Sequence, residues 1–320
     1  MKDIIKWSDL SKPKLTSINL ELTAHCNYTC DFCLNPDEQF RSKGYISQKL
    51  VNKVIDELDE NIRVHICGVG EPSLHPEFLE IVLRLRKKFK YVSLVTNGTI
   101  FTKYSAKEIS SLRLDKIFFS LDFIDPEIYK KIKGGSLDKV FKGLKLYSDS
   151  GEYKTEIQVN YLFTRTTTVE ELLEAYNKLC LILKNNWCIY IRQIKDLAGE
   201  VNIETSNDED ELDKTLKKYV NKHFIVENWN RYLENTNFVN EDPKICRHIY
   251  KYYMLLWNGD VVPCCQDFNA QLKLFNVLDT NYNLSQLFTT NIYKSFFIDM
   301  EKLNYSKYPI CKACKDYYRA

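Results

Sequence analysis

Cys26, Cys30 and Cys33 stand in the run C-N-Y-T-C-D-F-C, a C-x3-C-x2-C spacing directly after the apolar stretch 18–23. Three closely spaced thiolates on one loop can hold three irons of a cubic iron–sulfur cluster. The fourth iron then has no protein ligand and is open to a substrate or cofactor, whereas a fourth cysteine would close the cluster for electron transfer only. The competing reading is a zinc knuckle. That wants four ligands, and the nearest candidate, His25, sits beside Cys26 and is badly placed to share one metal.

A second set lies near the C-terminus: Cys246, Cys264, Cys265, Cys311 and Cys314. Between the first two, the stretch 252–264 reads as two short strands around Asn258-Gly259, a hairpin that returns Cys264 towards Cys246. Cys311-Lys-Ala-Cys314 adds a metal-knuckle pair. Four thiolates suffice for a closed four-iron cluster or for a zinc site. Neighbouring side chains of a strand point to opposite faces, so Cys264 and Cys265 are not expected at the same cluster. Cys265 then reads either as a small buried hydrophobe, like Cys67, Cys180 and Cys188, or as a reactive thiol.

These residues need a scaffold. Short β-rich runs at 17–23, 63–68, 91–96, 116–121, 156–163 and 188–194 alternate with helical patterns. The runs are mostly continuous apolar or β-branched stretches, as in buried parallel strands. Ser47 and Thr168 read as helix caps, and Pro76 suits a first helical turn. Six βα units imply an α/β fold with parallel strands, which pattern alone leaves as either a doubly wound sheet or a barrel. The polar stretch 201–243, expected to form one short helix and a connection, separates a core at 1–200 from a cysteine-bearing segment at 244–320.

Bulk properties narrow the classes further. The 320 residues allow one large core plus a smaller module, with 44% hydrophobic and 28% charged residues. Lys+Arg of 45 against Asp+Glu of 43 leaves a net charge of +2, which offers no broad field for nucleic acid. No stretch reaches the ~20 apolar residues of a membrane span, and the first residues lack a signal-peptide core. The expectation is a cytoplasmic protein with no membrane or nucleic-acid partner. There, eleven cysteines argue for metal binding rather than disulfides.

After the second strand comes Gly68-Val-Gly-Glu71-Pro72, where glycines admit close approach of a ligand and Glu71 offers acceptors to a cationic amine. The cysteine run, with Phe32 before its third cysteine, and this segment one βα unit later resemble the radical S-adenosylmethionine (SAM) enzymes. Val69 departs from the family's commonest Gly-Gly-Glu-Pro form. The resemblance implies an incomplete (β/α)6 barrel with chemistry at the C-terminal ends of the strands, and SAM held by Gly68, Gly70, Glu71 and Pro72. It also implies pocket roles for Asn97, Ser120 and Asp122, for Asn160 near the ribose, and for Lys133 where many relatives carry an arginine for the SAM carboxylate. Lysine lacks the bidentate fork of arginine.

The distal cysteines, with Gly259-x4-Cys264 and the terminal C-x2-C, resemble the auxiliary-cluster domains called SPASM and Twitch. One auxiliary cluster, on Cys246, Cys264, Cys311 and Cys314, is the expected count, giving two 4Fe-4S clusters in all. The family activity is reductive cleavage of SAM to a 5′-deoxyadenosyl radical that abstracts hydrogen from a substrate C–H bond. An external one-electron donor such as flavodoxin or ferredoxin feeds it. Three outcomes then compete: two-electron oxidation of a small alcohol, an aminocyclitol-like or a peptidyl substrate; epimerisation with Cys265 as hydrogen donor; and peptide cross-linking. Oxidation is favoured, since an auxiliary cluster can accept the second electron. With only about 15 residues ahead of the first strand no dedicated peptide-recognition domain is expected there, which lowers the cross-linking option without excluding peptides. A non-catalytic electron carrier is the reading of another class, but it needs neither an open iron nor the Gly-x-Gly-Glu-Pro segment.

Overall fold

The computed structural model describes residues 13–33, 35, 41–151, 154–163, 167–184, 186–193, 224–226, 246, 248–279 and 282–314. The six expected strands form with small shifts at their ends: β1 (Ser17–Leu20), β2 (Arg63–Ile66), β3 (Val92–Thr96), β4 (Lys116–Ser120), β5 (Glu156–Phe163) and β6 (Trp187–Gln193). Each pairs in parallel with the next. Two more parallel strands were not expected in the sheet. They are β7 (Phe224–Val226), on the far side of β6, and β8 (Tyr252–Leu255), which pairs with β1. The expected hairpin is β8 with β9 (Asp260–Val262), and β10 (Phe275–Asn276) follows antiparallel. The order is β10-β9-β8-β1-β2-β3-β4-β5-β6-β7, which does not close on itself among the described residues. An open, mostly parallel barrel sheet is the result, and the cysteine-bearing C-terminal segment is hydrogen-bonded onto its first strand.

Helices cover the outer face. They are α1 (Gln48–Glu57), α2 (Phe78–Lys88), α3 (Ile100–Lys103), α4 (Ala106–Ser111), α5 (Pro126–Lys133), α6 (Leu137–Asp149) and α7 (Val169–Ile182). Two more, α8 (Asn291–Glu301) and α9 (Pro309–Ala313), belong to the C-terminal segment. Ser47 and Thr168 cap α1 and α7 as expected, each accepting a bond from the third backbone N–H beyond it. Pro76 instead lies in the turn before α2, whose N-cap is Glu77. The expected helix within 201–243 falls outside the described residues, which in that stretch hold only β7.

Strand alternation sorts the sheet's two faces. Ile18, Leu20, Val64, Ile66, Leu94, Ile117, Phe119, Ile157 and Val159 enter the large core beneath the helices. Their neighbours Asn19, His65, Ser93, Lys116 and Gln158 therefore face the barrel interior. That interior is polar and internally bonded: His65 Nδ1 lies 2.7 Å from Ser93 Oγ, Lys116 pairs with Glu156 at 2.8 Å, and Gln158 donates to Asn160 at 2.9 Å.

Candidate active site

The loop carrying Cys26, Cys30 and Cys33 leaves the C-terminal end of β1, where the barrel rule places chemistry. Its shape is fixed by backbone bonds. Cys33 N–H donates to Cys30 O at 3.0 Å, and Thr29 and Asp31 N–H donate to the carbonyls of Lys133 and Ile132 at the end of α5. All three thiols are half-buried. Burial pushes each of them up, Cys30 to about 12, and the Cys33 sulfur adds to the rise of both Cys26 and Cys30. Thiols so protonated become ligands only when metal displaces the proton. Phe32 packs against the core beside Phe123, with ring centroids 6.3 Å apart.

Glu71 is buried at the centre of this region. Its carboxylate accepts from Thr96 Oγ1 at 3.0 Å, Asn97 N–H at 2.7 Å and Ser73 N–H at 3.2 Å. Burial raises its pKa, and its charge in turn raises Cys26. Pro72 opens the short turn that Glu71 caps. Asn97 points its amide at Cys26 Sγ, 3.8 Å away. The glycines have a more immediate role than admitting a ligand. A Cβ on Gly70 would lie 2.3 Å from Thr23 O and 2.6 Å from His25 O, and one on Gly68 would lie 2.6 Å from Glu21 Cγ. Both glycines let the cysteine loop and the strand end before it press against the second strand's end.

Lys133 is 1% exposed, so it is no solvated surface charge. It donates to Ser120 O and pairs with Asp122 Oδ2, and its charge favours the Cys30 and Cys33 thiolates. Asp122 adopts a left-handed backbone with φ of 67°, and its N–H donates to Asn160 O at 3.1 Å. Ser120, Asp122, Lys133 and Asn160 therefore meet at one strand-end corner.

The second set converges too. Cys246, Cys264, Cys265, Cys311 and Cys314 line a single cavity of about 760 Å³, including its mouth, between the hairpin and α9. Cys264 and Cys265 both line this cavity, and the strand alternation invoked to separate them does not reach them. Strand β9 ends at Val262, so both cysteines lie in the turn beyond it, where alternation no longer applies, and both sulfurs approach the Tyr252 hydroxyl. Among the described residues no three His, Cys, Asp or Glu side chains gather on a point that would hold a single metal ion. The thiols instead ring a volume.

Three contributors escaped the sequence reading. Asn35 is buried and donates to Ala24 O and Val69 O, tying the cysteine loop to the glycine segment. Arg41 joins the two cysteine regions: it pairs with buried Glu21 at 2.5 Å and donates to Phe268 O at 2.6 Å. Tyr252 is the third. Of these, only Asn35 had a signal, its place two residues after Cys33.

The model of the radical SAM superfamily matches residues 20–179, half of the chain. The chain belongs to that superfamily. The SPASM iron–sulfur cluster-binding domain matches residues 246–315. The tungsten-containing aldehyde ferredoxin oxidoreductase cofactor-modifying protein of Pyrococcus furiosus is 24% identical over 259 residues, 77% of this chain and 69% of that protein. A probable GTP 3',8-cyclase of Methanococcus aeolicus is 25% identical over 269 residues, covering 80% of this chain and 87% of that protein. The crystal structure of Streptococcus suis SuiB bound to S-adenosylmethionine has a TM-score of 0.67 over 89% of this chain and 68% of SuiB, at 16% identity, which shows a shared fold. Family and domain together bring SAM and two iron–sulfur clusters to this radical SAM protein. The donor sets fit both: three thiols on one loop beside acceptors and a buried cation, and five thiols around one cavity.

Proposed function

We propose that this radical SAM enzyme carries out a two-electron oxidation of its substrate, with the C-terminal cysteines holding the acceptor cluster. When SAM and the first cluster are bound, the site supplies removal of a hydrogen atom from an unactivated C–H bond. The chain's own residues do the rest. Glu71 and the backbone around Gly68, Gly70 and Pro72 present acceptors to the amine of SAM. Lys133, turning from Asp122, takes its carboxylate, and Asn160 lies towards its ribose beside Ser120 and Asn97. The polar barrel face, with Gln158 bonded to Asn160, orients the substrate within reach of the reacting atom. A substrate that has lost a hydrogen atom then gives up one proton and one electron, the electron passing to the Cys246–Cys314 cavity.

The observation that carries this reading is spatial. Five thiols share one cavity beside β8, and β8 pairs with β1, the strand whose end bears the first cysteine loop. An acceptor held in that cavity would stand beside the strand that leads into the first cysteine loop. On this reading the setting is cytoplasmic, with flavodoxin or ferredoxin as the external electron donor. The substrate class stays broad: by their names two relatives modify a cofactor and cyclise GTP, and SuiB is known bound to a precursor peptide, so both small molecules and peptides belong in the screen.

Electron stoichiometry tests the proposal. One electron enters for each SAM spent, and an oxidation returns one from the substrate, so a priming amount of reductant should support many turnovers. Product formation that consumes about two reducing equivalents per SAM would sink the oxidation reading, because a substrate that gives up no electrons leaves the whole two-electron reduction of SAM to the donor. In that case loss of turnover in Cys265→Ala would favour epimerisation.

A further inference from the structure

Cysteines of both sites share one local geometry. The backbone N–H two residues on donates to the sulfur: Asn35 to Cys33 at 3.5 Å, Gln266 to Cys264 at 3.4 Å, and Tyr28 to Cys26. A sulfur held as an acceptor in this way is prepared for the thiolate form, which is the form that ligates metal. Cys264 thus resembles the first-site cysteines in its immediate surroundings.

The Tyr252 hydroxyl adds a constraint. It lies 3.4 Å from Cys265 Sγ and 3.9 Å from Cys264 Sγ. A phenol has one proton, so it can donate to only one of the two sulfurs. If one sulfur is a metal-bound thiolate and the other a thiol, one arrangement satisfies all three groups. The thiol donates to the phenol oxygen, and the phenol donates to the thiolate. Strand alternation aims Tyr252 this way: its neighbour Tyr253 turns to the helical layer and donates to Leu284 O at 3.4 Å, so Tyr252 faces the opposite side.

On the reading of this cavity as the acceptor site, with Cys264 as the ligand the family resemblance implies, we propose that Cys265 and Tyr252 form a hydrogen-bonded chain onto the Cys264 sulfur. Cys265 S–H donates to Tyr252, and Tyr252 O–H donates to Cys264. Together with the Gln266 N–H, this places two donors on one ligand sulfur. Donors to a cluster sulfur favour the reduced, more negative state and raise the reduction potential. Tyr252 is a positioning residue that sets how readily the site takes the substrate's electron.

The test compares full-length protein reconstituted anaerobically with iron and sulfide: wild type, Cys265→Ala, Cys264→Ala and Tyr252→Phe. Iron content and the auxiliary midpoint potential, followed by spin resonance, are the readouts. Wild type, Cys265→Ala and Tyr252→Phe should each bind about eight irons, as two four-iron clusters require, and Cys264→Ala fewer. The Tyr252→Phe cluster should be about tenfold harder to reduce, ~59 mV lower for one electron. Irons lost in Cys265→Ala but kept in Cys264→Ala would reverse the ligand assignment and overturn the proposal. So would a Tyr252→Phe potential equal to wild type in protein with about eight irons. A wild type that binds only about four irons would remove the acceptor site itself, and the oxidation reading with it.

Discussion

The two cysteine sites are built in opposite ways. The first gathers three thiols within eight residues of one loop and surrounds them with charge: Glu71, Asp122 and Lys133 all act on them electrostatically. The second gathers five thiols from three separate segments and walls them largely with apolar and aromatic groups such as Leu272, Met300, Tyr305 and Ile310. A charged, half-buried loop suits the binding of a zwitterionic ligand. An apolar enclosure suits a closed centre that exchanges electrons and little else, because unpaired charge is expensive there. The same ligand atom thus serves two tasks, and its surroundings assign them.

The largest expected effects follow from that contrast. Cys26→Ala/Cys30→Ala/Cys33→Ala should abolish SAM cleavage and leave about four irons. Cys311→Ala/Cys314→Ala should also leave about four, yet keep cleavage of SAM to methionine and 5′-deoxyadenosine while losing oxidised product. Product chromatography with iron assay separates the cases. Loss of SAM cleavage in the C-terminal pair would mean that the two sites do not have separate tasks.

Next comes the charge beside the first site. Lys133→Met would leave Asp122 buried without its cation, and breaking such a pair costs about 3–5 kcal/mol. Lys133→Met/Asp122→Asn should recover part of that stability, because no unpaired charge remains. Neither variant should regain wild-type affinity for SAM if Lys133 takes its carboxylate. Denaturant melts and SAM titration measure the two effects independently. Wild-type SAM affinity in the double variant would reduce the pair to a structural role.

Gly70→Ala is expected to be smaller but still local. Its Cβ would collide with Thr23 O and His25 O, and backbone cannot swing aside as a side chain does. About 1–3 kcal/mol of overpacking is expected, with iron lost from the first site and retained at the second. Equal loss from both sites would show that the glycine segment supports the whole barrel rather than the cysteine loop.

These positions also show where the sequence could be read and where it could not. Cys26, Cys30 and Cys33 were legible because one loop supplies them all, and six strands were legible because buried parallel strands leave continuous apolar runs. The attachment of β8 to β1 joins residues about 235 apart, and nothing local encodes such a pairing. The convergence of Cys264 with Cys265 was missed because the strand was expected to run two residues further than it does. Arg41 and Tyr252 look like ordinary surface and strand residues until long-range contacts place them. Lys133 was found for its position, but its burial against Asp122 was not, since burial belongs to the fold and not to the residue type.

The smallest effect lies away from both sites and sharpens the contrast by its absence from them. His65 faces the barrel interior from within β2, bonded to Ser93. Burial, reinforced by the Arg63 charge, lowers its pKa to about 4. The folded protein therefore keeps His65 neutral where the unfolded chain, at about 6.5, begins to take up a proton. Stability from this group is complete above pH ~6.5 and is lost as pH falls towards 4, because the unfolded state then binds more protons. Melts of wild type and His65→Gln between these limits should converge as pH falls, the wild type losing stability faster. Parallel curves would mean that His65 titrates alike in both states and that the barrel interior is wetter than its packing implies. Iron content should stay equal in the two proteins, since His65 lies one strand face and several residues from any cysteine loop.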